Sequence, residues 1–402
     1  MKKTKVIVAG AGPVGTVAAY YLARAGIEVV LLEAGVDCAM DLRASTLHPP
    51  TLEMLDTLGI TPTLLERGLK APVYQFRDRG SGDVYAFDMS ELADITRYPF
   101  RVQCEQYHLS RLLASKLEAE PNAAVYFNHR LVHFEQDDDG VTVTAETPVS
   151  LERFRADYLI GADGASSLVR KWLGIEFDGF TYPEKFLCLT TETPLEQYID
   201  GLCHVNYVSD AKEWLVLLRV PSLWRILVPA GDASDETLVS DEKKNAVFGG
   251  LIGLTDEVKT HHRTIYRVHQ RVAKTFRVNR VMIIGDAAHL NNPIGGFGMN
   301  SGIHDAFNLC AKLVEAYRNG AEGGGGAEAL LARFDRQRRT VTHDFTQAQT
   351  IKNMEFMKEG QAAGHRKRHA EMQRMTEDPV ARRQYLITQS MFGSLRQEAE
   401  IQ

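Results

Sequence analysis

The stretch GAGPVG, Gly10 to Gly15, constrains this chain more than any other. It follows KVIVAG, a continuous apolar run of the kind an interior parallel strand needs, and precedes TVAAYYLARAG, a helical run closed by Gly26. Gly10 permits the tight turn, Gly12 lets backbone approach a pyrophosphate, and Gly15 lets helix and strand pack closely. The amide end of the helix favours phosphate charge. Glu33 ends the next apolar run, EVVLLEAG, where a carboxylate can bind a ribose diol. The unit predicts a dinucleotide site without separating NAD from FAD. The basic start could pass for a signal peptide, but Gly10, Gly12, Pro13 and Gly15 interrupt the apolar run. No stretch is long enough to span a bilayer, and the chain is expected to be soluble and cytoplasmic.

Two later segments repeat the strand-turn-helix form. GADGASSLVR offers Asp163 and Gly164 after an apolar run. RVMIIG leads into GDAAHLNNPIGGFGMNSG, Gly285 to Gly302, with Asp286 at the strand end. Gly295, Gly296 and Gly298 strip side chains from one short segment, as backbone does when it must approach something flat or take positive φ angles. That segment is either an elaborate turn or a cradle for a planar cofactor. A helix starting at about Asn300 would aim its N–H groups and positive dipole end at a negatively charged ring.

The set GAGPVG with Glu33, RASTLHPPTLEML, GADGASSLVR and RVMIIGDAAHLNNPIGGFGMNSGIHDAFNL, in this order, resembles the class A flavoprotein monooxygenases, the para-hydroxybenzoate hydroxylase-like family. The resemblance covers most of residues 4 to 315 and selects FAD. It implies that Glu33 binds the adenosine ribose and that Arg43 contacts the phosphate and flavin side. It places Gln106 beside the ribityl chain, with Arg111 a further candidate. Asp163 would serve both FAD and NAD(P)H, and Asp286 would grip the ribityl and ribose hydroxyls. Pro293, Gly296, Gly298, Met299 and Asn300 would run along the isoalloxazine. Phe297 stands where many members carry glutamine. The implied reaction is hydroxylation of a phenolic or aromatic-acid small molecule, using NAD(P)H and dioxygen, through a flavin hydroperoxide. The single GxGxxG fits a family in which NAD(P)H binds transiently without a domain of its own.

The implied architecture is α/β: a Rossmann-like FAD-binding domain with an inserted β-sheet substrate domain and a helical C-terminal tail. Residues 1–70, 100–176 and 270–320 are assigned to the FAD-binding domain. Residues 71–99 and 177–269 form the substrate sheet, and 321–402 the helical region. Within the FAD-binding domain, AVYFNHRLVHFEQD and GVTVTAE read as a strand pair joined at Asp137 to Gly140; in the helical region, the glycine tract near 324 reads as a flexible connection. The basic run GHRKRHAEMQRM, Gly364 to Met375, reads as the solvated face of an amphipathic helix. A net charge of -6 argues against nucleic acid as a partner. Five scattered cysteines without a CxxC pair fit a reducing compartment and supply no metal site. A homodimer is compatible with the sequence but is not specified by it.

Oxygen transfer to a phenol is helped by removal of the phenol's proton. His48, His204 and Tyr207 are candidates for that step, each with an ordinary alternative as a surface or core group. His204 and Tyr207 sit an odd number of residues apart on one strand, so at most one of them faces a pocket. Trp214 and Trp224 read as core. A flavin-dependent halogenase would share the fold, but LWRILVP only echoes the motif expected of one. An FAD-dependent oxidoreductase without oxygen insertion remains the other alternative.

Overall fold

Short β-branched runs flanked by glycine build the central sheet. The structure, a computed structural model, describes residues 1–40, 44–209, 214–231, 233–318, 325–358 and 362–402. Val6–Ala9 lies between Val29–Leu32 and Tyr158–Gly161, with Ala123–Tyr126 and Val281–Ile283 beyond them, all parallel. Val6, Ile7 and Val8 are wholly buried, as a strand covered on both faces must be. The helices Pro13–Arg24, Gln106–Glu118 and Phe297–Arg318 supply the covering layers.

The second large element is an eight-stranded sheet. Its order is His289–Leu290, His262–Ala273, Phe177–Thr191, Trp224–Pro229, Trp214–Arg219, Val205–Ser209, Val73–Asp78 and Val84–Asp88. Trp214 and Trp224 are both buried in it. A three-stranded sheet, Thr46–Leu47, Arg101–Gln103 and Leu69–Ala71, also contributes residues to the site.

Three expectations are corrected. AVYFNHRLVHFEQD is two strands in different sheets: Ala123–Tyr126 extends the parallel sheet, whereas Arg130–Asp137 pairs with Gly140–Glu146. Asn128 makes the break with φ 56°, a left-handed conformation that asparagine tolerates. The helix expected near Asn300 begins at Phe297, which puts its first turn inside the glycine loop. The C-terminal helices pack into the fold rather than trailing as a tail. Arg338 inserts fully buried from helix Gly325–Val341, and Met354, Met372 and Leu386 are buried from three further helices. The basic helix Ala362–Glu377 is amphipathic as expected: Lys367, Gln373 and Arg374 are exposed, while Met372 and Met375 are buried and Arg368 is buried with Asp78 at 3.4 Å. The glycine tract at 319–324 lies outside the described residues.

Candidate active site

The glycine turn divides its work. A Cβ on Gly10 would lie 2.4 Å from the Ala162 carbonyl oxygen, and one on Gly15 would lie 2.0 Å from the Gly10 oxygen. Gly10 also takes φ 105°. A Cβ on Gly12 would meet nothing within 4 Å, because that position opens on a cleft of about 390 Å³. The N-terminus of helix Pro13–Arg24 points into the same opening. Glu33 Oε2 accepts from the Ala11 amide at 2.7 Å, and Oε1 accepts from Gly35 at 2.8 Å, so its carboxylate is pinned against the turn.

Gln106 opens helix Gln106–Glu118 and lines the cleft with Ser110 one turn later. Arg111 turns away to a half-exposed ion pair with Asp37 at 2.5 Å. Asp163 uses its carboxylate locally, accepting from Ser167 Oγ at 2.5 Å and the Val169 amide at 3.1 Å to start helix Leu168–Trp172. The neighbouring Gly164 and Ala165 are what reach the cleft. Arg43 lies outside the described residues.

Asp286 stands exposed in the cleft on the turn Gly285–Ala287. Beneath it is a buried network that the motifs did not reveal. Asp305 Oδ2 accepts from the Gly285 amide at 3.0 Å and from His289 Nε2 at 2.8 Å, while Oδ1 accepts from Arg338 Nε at 2.7 Å. Arg338 continues to Glu398 at 2.5 Å. Burial works against the Asp305 charge, but His289 and Arg338 outweigh it and hold the carboxyl below its usual range. An anion thus fixes the backbone that carries Asp286, and helices near the C-terminus fix the anion. The only trace in the sequence is an aspartate on the inner face of IHDAFNL.

The glycine loop is clamped from behind. His48 Nε2 donates to the Gly295 oxygen at 2.8 Å, and the His48 amide donates to Asn300 Oδ1 at 2.9 Å. Asn300 Nδ2 donates to Thr46 and Gly296 oxygens at 2.8 and 2.7 Å. His48 and Asn300 are both fully buried, and neither lines the cleft. Burial, then the charge of Arg101, pushes the His48 imidazole well below its ordinary range. His48 is therefore a neutral clamp, not a base in contact with the cleft. The loop's cleft side is Pro293, Gly295, Gly296, Gly298 and Met299.

The eight-stranded sheet forms the opposite wall through Cys188, Val205, Tyr207, Val216 and Leu227. Of the three candidates for proton removal, Tyr207 alone lines the cleft. His204 precedes the strand and donates to the Lys70 carbonyl at 3.0 Å, outside it. Buried Arg225, also on this wall, faces Glu105 at 3.7 Å. The open position at Gly12, the exposed carboxylate of Asp286 in the cleft and the side-chain-free loop together fit a flavin dinucleotide.

The comparisons agree with this geometry. The FAD binding domain family model matches residues 3–349. The chain is 33% identical over 389 residues to para-nitrophenol 4-monooxygenase of Pseudomonas sp. strain WBC-3, across 95% of this chain and 94% of that protein. It is 32% identical to 6-hydroxy-3-succinoylpyridine 3-monooxygenase HspB of Pseudomonas putida, across 84% of each. The crystal structure of p-nitrophenol 4-monooxygenase PnpA from Pseudomonas putida DLL-E4 superposes with a TM-score of 0.91 at 30% identity, covering 98% of this chain and 99% of that one.

Proposed function

The chain belongs to the FAD binding domain family, and from that premise we propose that it is a monooxygenase of para-substituted phenols. It is an FAD-dependent aromatic hydroxylase with NAD(P)H as co-substrate. The likeness along nearly the whole chain to para-nitrophenol 4-monooxygenases supports the finer reading, and a single cleft from the Gly12 turn, past Asp286 and the glycine loop, to the inner face of the large sheet would let cofactor and substrate meet.

FAD supplies the electron transfer and oxygen activation that no side chain can. The protein's own work is to bind, orient and keep the reacting face dry. Gly12 and the start of helix Pro13–Arg24 would take the pyrophosphate, with Glu33 at the adenosine ribose. Asp286, Gln106 and Ser110 would take hydroxyl groups further along. The first turn of helix Phe297–Arg318 would face the ring's negative end, favouring the reduced anion. Val216 and Leu227 close the opposite side with apolar surface, which limits loss of the activated oxygen to water.

Among the described residues no helix is long and apolar enough to cross a membrane. Five free cysteines without a disulfide support a cytoplasmic location. The reading is tested by measuring NAD(P)H consumption with a panel of phenols, with products made under labelled dioxygen. Substrate-stimulated consumption and one labelled oxygen in the product are expected. Consumption without labelled product would favour an oxidoreductase that does not insert oxygen.

A further inference from the structure

A second chamber, of about 340 Å³, adjoins the cleft and shares Arg101 and Tyr207 with it. We propose that this chamber receives the aromatic substrate, that the C-terminal helices form half of it, and that Arg101 binds a negatively charged oxygen on the ring. The proposal rests on the monooxygenase reading above and adds the place and charge of the substrate.

Space is the first argument. Pockets for one small ligand run from about 300 to 1,000 Å³. The cleft beside the glycine loop is near the lower end of that range and already has a dinucleotide to hold. The adjoining chamber supplies further volume next to Tyr207.

The lining is the second. Tyr207 and Phe76 are direct neighbours on parallel strands, with ring centroids 4.8 Å apart and planes 20° from parallel. Tyr74, opposite Val205 in the same strand pair, meets Tyr207 edge-on at 6.5 Å. Facing this aromatic platform are Met372 from helix Ala362–Glu377 and Tyr385 from helix Pro379–Gln389. An aromatic floor under an adaptable thioether suits a flat, substituted ring.

Charge is the third. Arg101 is 1% exposed, yet no carboxylate among the described residues lies within ion-pair distance of it. Its guanidinium sits 4.2 Å over the Tyr74 ring, and Nη2 has one long contact, 3.5 Å, to the Gln389 carbonyl. Among the described residues, Arg101 Nε is buried without a hydrogen-bond partner, and the Tyr74 hydroxyl beside it has only the Tyr385 phenol to interact with. Leaving a buried cation uncompensated costs several kcal/mol, so such an arrangement persists where a ligand completes it. Burial holds the Tyr74 and Tyr385 phenols above their ordinary range, so both remain protonated. The chamber therefore offers a cation and hydroxyl donors, a set that matches a phenolate or another anionic substituent.

The test uses the FAD-loaded enzyme with 4-nitrophenol as probe. Arg101→Gln should raise its Kd roughly ten- to hundredfold at a pH where the phenol is ionised. The loss should shrink where the phenol is protonated, and Arg101→Lys should recover part of it. Met372→Trp, which fills the chamber from the helix side, should raise Kd and KM at least about tenfold while the FAD Kd from a fluorescence titration stays within about twofold. If Met372→Trp does not fold, Met372→Phe makes the same test with less added volume. Variants that bind 4-nitrophenol as the wild type does, with FAD in place, overturn the chamber. A wild type that neither binds nor oxidises any of a panel of phenols overturns the functional reading itself. A wild type that hydroxylates while the variants match it overturns only the chamber.

Discussion

The dinucleotide end and the substrate end of this molecule are built on opposite plans. At the dinucleotide end the parts are neighbours in sequence. Gly10, Gly12 and Gly15 share one turn, and Glu33 comes back to that turn from the next strand to accept from Ala11 at 2.7 Å. At the substrate end, Tyr74, Arg101, Tyr207, Met372 and Tyr385 come from five separate elements. The first plan uses backbone, which any sequence with glycine in the right places can present. The second uses side chains, whose meeting depends on how sheets and helices stack. A pyrophosphate is the same in every dinucleotide, so its cradle can be stereotyped. A substrate pocket has no such constant partner.

Glycine substitutions should break the comparison hardest. In Gly15→Val the new Cβ would fall 2.0 Å from the Gly10 oxygen, a backbone overlap that nothing flexible can relieve. We expect a loss of more than about 3 kcal/mol and little soluble protein, read by expression and thermal melting. Gly12→Val has room for its Cβ and should fold, yet purify without FAD. If Gly12→Val keeps its FAD, the open position is not the pyrophosphate site.

Asp286→Ala should be milder. Losing charge-assisted hydrogen bonds at one carboxylate should weaken FAD by about 1–3 kcal/mol, seen in a fluorescence titration of apoprotein. Unchanged affinity would make the turn Gly285–Ala287 purely structural.

A smaller, graded effect belongs to acid stability. Burial and the charge of Arg338 take His304 down to about 3, and burial and Arg101 hold His48 well below the ordinary histidine range. Both return to about 6.5 when the chain unfolds, so the unfolded state binds the extra protons below that pH. The contribution is complete above about pH 6.5 and fades as pH falls, by at most about 1.4 kcal/mol per pH unit for each histidine. Urea midpoints at pH 7 and pH 5 measure it, and His304→Gln should flatten the slope. A midpoint independent of pH across that window would mean that neither ring is neutral in the fold.

The least effect is expected at His204, whose ring lies outside both cavities. His204→Ala should change stability by less than about 0.5 kcal/mol and leave the pH profile of turnover as it was. A lost limb in that profile would return His204 to the reaction.

What could be read from sequence follows the same division. GAGPVG with Glu33 specified a strand, turn, helix and acid because each residue's duty is local: a φ angle, a missing Cβ, a carboxylate at a strand end. The order of the later motifs specified the family and hence FAD. His48 shows where local reading stops. It lies in the expected segment, but its side chain points behind the loop to the Gly295 oxygen rather than toward the cleft. Asp305 and Arg338 show the same from the other side, since helix periodicity marks them as inward without naming what they meet. Only tertiary packing decided that a helix more than thirty residues along the chain anchors the turn under Asp286, and that the C-terminal helices wall a chamber over Tyr207. The physical reason is range. Backbone geometry is set by a residue and its immediate neighbours, whereas a side chain's partner is chosen by whichever distant surface the packed layers bring within a few ångströms.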